Sequence, residues 1–176
     1  MVEAWLDRDT VPMLLLGSSR STEKDVWTAQ ADLSAAAEHV LLALTDPDLI
    51  ASWAPVQFDL DGLAGGRLRA GCRERVRGSI AGMTTSFDIE VARADSDGLE
   101  LVARGPVAFD VAYRFRPRFC GVRVEASVSL RRRGGFTAQL VRTAVASALN
   151  AGALGVALRR LDAAVTCELD RALLCA

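Results

Sequence analysis

One histidine, one lysine and one tyrosine are all that 176 residues supply of three side chains on which much enzyme chemistry depends. His39 is therefore the sole side chain whose ordinary pKa lies near neutrality. A Ser-His-Asp triad would have to use it, and no G-x-S-x-G turn accompanies it. Directly after Glu38 in a helical stretch, His39 is expected to face solvent. Cysteine is sparse as well: Cys72, Cys120, Cys167 and Cys175 form no C-x-x-C pair. With a single histidine beside them, no zinc ligand set is available. The glycine-rich run Gly62 to Gly66 leads into a strand, not a helix N-terminus, so it makes no phosphate cradle. No catalytic residue, metal or cofactor is expected.

Long apolar runs are also missing. Val11-Pro-Met-Leu-Leu-Leu-Gly17 is too short for a signal peptide or a membrane span. Near the C-terminus, Arg142, Arg159, Arg160 and Asp162 interrupt every long apolar stretch. Membrane insertion is not expected, and scattered thiols without a secretion signal point to the cytoplasm. The formal net charge is only −1, which does not favour nucleic acid as a partner. Its distribution is uneven: residues 1–65 carry 3 basic and 11 acidic residues, and residues 66–133 carry 14 and 8.

What is present is alternation. Leu68, Ala70 and Cys72 alternate with Arg67, Arg69 and Arg73, the pattern of a half-buried strand. Phe87, Ile89 and Val91 share a face, and Leu99 to Ala103 form a short strand after the Asp95-Ser-Asp-Gly98 turn. Val107, Phe109, Val111, Tyr113 and Phe115 lie opposite Asp110, Arg114 and Arg116. Cys120, Val122, Val124, Ala126, Val128 and Leu130 oppose a polar set from Arg123 to Arg131. Antiparallel strands with one wet face fit this pattern.

Helical spacing appears twice. Val40, Leu41 and Leu44 mark a short helix that Ser34 is placed to cap, and Asp46-Pro47 restarts a second one ending at Trp53. Residues 137–174 carry Val141, Val145, Leu154, Leu158, Leu161, Val165 and Leu169 at helical intervals. A straight helix of that span would reach roughly 55 Å, so Asn150-Ala-Gly152 and Gly155 mark a bend. Ala148, Gly152 and Gly155 give the helix a narrow face, expected to approach the sheet. Residues 1–24 lack a period and are expected to be a flexible tail ahead of one domain, 25–176.

These elements carry a resemblance. Ala36-Ala-Glu-His-Val40, Ala43-Leu-Thr-Asp-Pro-Asp-Leu49 and Trp53, with Gly66-Arg-Leu-Arg-Ala-Gly71 and Leu158, Leu161 and Leu169, resemble the helix-grip superfamily. That group includes START domains, Bet v 1-like plant proteins and bacterial polyketide cyclase-like proteins, and the likeness covers about residues 25–172. It implies an α+β fold: a curved antiparallel sheet of about seven strands, two short helices, and one long C-terminal helix over a cavity. It also implies a small hydrophobic ligand as the partner. On that basis Trp53, Phe87, Phe109, Val111, Tyr113, Phe115, Val124, Ala148, Gly152 and Gly155 are the expected ligand-binding residues, with the Tyr113 hydroxyl as polar anchor. The expected function is sequestration or carriage of a hydrophobic or aromatic molecule of polyketide type, self-resistance in a producer being one form. The alternatives are a polyketide aromatase or cyclase, and a protein-interaction regulator of stress response.

Overall fold

The computed structural model describes residues 25–54, 58–59, 66–80, 83–131 and 136–174. The tail expected over residues 1–24 and the glycine-rich turn before Gly66 lie outside them. Six strands form an antiparallel sheet: β1 (Asp25–Leu33), β3 (Arg73–Ile80), β4 (Met83–Asp95), β5 (Gly98–Arg104), β6 (Ala108–Arg118) and β7 (Gly121–Arg131). At one edge a two-residue segment, β2 (Phe58–Asp59), pairs with Arg77 and Gly78 of β3. The count of about seven strands depends on that short segment alone. The order is β1-β7-β6-β5-β4-β3-β2, so the first and last long strands pair directly while the rest run as a meander.

Alternation sets the faces. In β7, Val122, Val124, Ala126 and Leu130 are buried while Arg123 and Glu125 between them are only half-buried. One irregularity breaks the pattern. Between Val91 and Arg93 the pairing of β4 with β5 slips, so Ala92 has no partner and the strand bends. Gly98 opens β5 at φ 150°, where a Cβ would overlap the Tyr113 carbonyl. That close approach holds the β5 and β6 backbones together at the level of the tyrosine.

The helices cover the concave face. Helix α1 (Ala37–Thr45) begins at Ala36, which offers no side-chain cap, and Ser34 stands exposed just beyond the end of β1. Ser34 is therefore not the cap: a capping side chain must sit at the position next to the helix, and the chain still bends there. Helix α2 (Pro47–Trp53) starts as the sequence predicts, with Asp46 Oδ1 accepting from the N–H groups of Asp48 and Leu49 at 3.0 and 3.4 Å. The long C-terminal helix is present as α4 (Ala153–Leu174), and the bend expected at Asn150 to Gly152 is a full break that sets off α3 (Phe136–Asn150) at 66°. Gly152 adopts φ 87° there, the left-handed conformation that ends a helix. Among the described residues no single helix is long and apolar enough to cross a membrane.

The main core joins Leu33, Val40, Leu44, Trp53, Leu99, Val122 and Val124 to Leu158, Leu161 and Val165 of α4. A smaller cluster of Val107, Leu130 and Val141 sits under α3. Between these two packed regions the interior is not filled.

Candidate functional site

An apolar recess of about 260 Å³ lies between the sheet, α2 and the bend of the terminal helices. Sheet register builds its floor. Phe109, Val111 and Tyr113 project from β6 on one face, and their direct partners on β5 are Ala103, Leu101 and Leu99. Val128 of β7 stands opposite Val111. Directly opposed residues share a face, so these side chains form one continuous apolar wall. Phe87 adds to it from β4, its ring 5.5 Å from that of Phe109 at 58°. The roof comes from Val145 and Leu149 of α3 and from Ala153, Leu154 and Ala157 of α4.

Trp53 closes one end. Its ring meets Tyr113 edge to face at 6.5 Å and 85°, and its indole N–H donates to the Ala43 carbonyl at 2.8 Å. With that N–H occupied, Trp53 presents only carbon to the recess. Tyr113 differs. It is 8% exposed, and burial alone pushes its phenol up to about 12. No described residue hydrogen-bonds its hydroxyl. Among the described residues lining the recess, it is the one side chain that brings an uncommitted polar group.

Five expected site residues, Trp53, Phe87, Phe109, Val111 and Tyr113, line this recess. Phe115 and Val124 do not. They pair with each other across β6 and β7 and are packed into the main core with Leu158 and Leu161. Ala148 and Gly152 are exposed, and Gly155 lies outside the lining. In α3 it is Val145 and Leu149, one turn apart, that face the recess, while Ala148 lies off that face and Gly152 sits at the break between the helices. The β5 residues were missed, although the run Leu99, Leu101, Ala103 alternates in the sequence. Seeing them opposite Phe109 to Tyr113 required the register.

The outer face of the sheet carries a set of paired charges. Arg73 and Arg104 both hold Glu90, at 3.0 and 2.7 Å. Arg75 pairs with Asp88, Arg116 with Glu125, Arg123 with Asp32, and Arg131 with Asp110. These arginines hold the Asp32 and Glu90 carboxyls below their usual range, chiefly by hydrogen bonding. A groove of about 360 Å³ runs among Arg73, Glu74, Arg75, Asp88, Glu90 and Arg104, and all of these but Glu74 are joined in the pairs above. Two other expectations change. Cys120 is exposed in the β6–β7 turn instead of packed inside. His39 is half-buried, with its Nδ1 shut away and no hydrogen-bond partner among the described residues.

A curved antiparallel sheet gripping a terminal helical segment, with an apolar space between, is the helix-grip arrangement. Solved structures share it. A protein from Chromobacterium violaceum, CV1439, is similar over 80% of this chain and 97% of its own, with 15% identity and a TM-score of 0.60. Ara h 8.0201, a Bet v 1 allergen, is similar over 82% and 99%, at 11% identity and a TM-score of 0.56. DynU16, from the dynemicin biosynthetic locus, is similar over 78% of this chain but only 46% of its own, at 19% and 0.53. No family model matches the chain, and no curated protein matches it in sequence. The likeness is one of fold.

Proposed function

We propose that this protein binds a small hydrophobic, largely aromatic molecule in the recess and carries or sequesters it. The observation that supports this reading most is the unpartnered Tyr113 hydroxyl inside otherwise apolar walls. Concave apolar sites with a few placed polar groups are the general form of small-molecule pockets. The hydroxyl can both donate and accept, so it is free to bond a ligand oxygen that enters the recess. DynU16 belongs to a biosynthetic locus, which favours a natural product of polyketide type as the molecule held, with self-protection of a producer as one use. Cyclisation chemistry would need a second polar group converging on the ligand, whereas the described lining brings Tyr113 alone. Binding without chemistry is therefore preferred.

The test is titration with a broad panel of uncharged aromatic and polyketide-derived ring compounds, followed by amide chemical shifts. Saturable shifts are expected at Phe109, Tyr113, Leu149 and Leu154. A panel that leaves all four unmoved overturns the proposal.

A further inference from the structure

We infer that the recess selects its ligand by size and charge, taking an uncharged molecule of about two fused aromatic rings with one oxygen aimed at Tyr113. This rests on the reading of the recess as a ligand site. Size comes from volume. An apolar cavity of about 150 Å³ takes benzene, so 260 Å³ corresponds to about two such rings. Four fused rings exceed this volume, so part of such a ligand would lie outside the recess, beyond the apolar contacts that Leu149, Leu154 and Ala157 offer.

Charge comes from the lining. Among the described residues no Arg, Lys, His, Asp or Glu faces the recess. The nearest ionic groups along β6 are Asp110 and Arg114, and strand alternation sends both to the opposite face of the sheet. An ionised ligand would surrender its hydration and find no counter-charge. Polarity comes from the single hydroxyl. Tyr113 both donates and accepts, so a phenol or carbonyl oxygen satisfies it. A pure hydrocarbon fills the space and leaves it unpaired.

Isothermal titration calorimetry at pH 7 with four probes separates these terms: 2-naphthol, naphthalene, 2-naphthoate and 1-hydroxypyrene. The expected order places 2-naphthol tightest. Naphthalene is expected about 3- to 10-fold weaker, the size of one hydrogen bond. 2-Naphthoate and 1-hydroxypyrene are each expected at least 30-fold weaker. Tyr113→Phe should lower 2-naphthol affinity to that of naphthalene while leaving naphthalene unchanged. Equal affinity for 2-naphthol and 2-naphthoate overturns the charge rule, and equal affinity for 2-naphthol and 1-hydroxypyrene overturns the size rule. Equal loss of both neutral two-ring probes in Tyr113→Phe overturns the anchor. If 2-naphthol fails to bind while larger rings from the broad panel saturate the amide shifts, this inference falls and the binding function stands. If nothing binds, both fall.

Discussion

At the end of α1 the Ala43 carbonyl reaches past Pro47, which has no N–H to give it. The indole of Trp53 donates instead, at 2.8 Å in a buried setting. The same ring meets Tyr113 edge to face, so one side chain closes a backbone gap and walls the recess. Trp53→Phe keeps an aromatic body but removes the donor. It should lower unfolding free energy by about 1–3 kcal/mol, measured by urea denaturation. A loss no greater than that of a surface substitution would mean water replaces the indole without penalty. The cap on α2 was legible in the sequence because Asp followed by Pro leaves few geometries open. The role of Trp53 was not, because ten residues separate its N–H from the carbonyl it serves.

Among the elements, α3 is the least anchored by packing. Val141 is its buried contact in the small cluster with Val107 and Leu130. Two polar ties hold it to β1: Arg142 to Asp25, and the Trp27 indole N–H to the Asn150 side-chain oxygen at 2.7 Å. The second tie sits beside the bend at Gly152, so it holds α3 where the helix direction changes. Asn150→Ala removes it. Hydrogen exchange of the amides in 140–149 should then rise about 2- to 10-fold, the equivalent of one exposed hydrogen bond, with α4 unchanged. An equal rise in α4 would show that the two helices open as one unit. This element also explains where sequence reading stopped. Alternation in β6 and β7 is a local property, and it placed Phe109, Val111 and Tyr113 on the right face. Helical phase is cumulative. The left-handed Gly152 ends α3 and changes the chain direction, so the positions after it no longer continue the face set by those before it, and Ala148 and Gly152 are exposed at the break.

Over the whole molecule, the two faces of the sheet set opposite limits on stability. On the outer face Asp32, Glu90 and Asp95 ionise more readily when folded, because arginine hydrogen bonds hold their pKa values down. Their contribution is present above the unfolded values, 3.8 for Asp and 4.5 for Glu, and is lost as pH falls through the lower folded values. On the inner face burial raises Tyr113 from 10.0 to about 12. Its contribution is complete below the unfolded value and is lost as pH rises through the folded one, about 2–3 kcal/mol over that window. Tyr113 is the only tyrosine, so tyrosinate absorbance reports this group alone. Spectrophotometric titration of the native protein should show its midpoint near 12, against about 10 after unfolding in denaturant. Tyr113→Phe should flatten the stability profile between pH 10 and 12 while leaving the acid limb in place. A native midpoint near 10 would place the hydroxyl in bulk water, and the recess would then lack the buried polar anchor on which selective binding depends. Saturating ligand that accepts the phenol proton should move the midpoint higher still, because the bond exists only while Tyr113 is protonated.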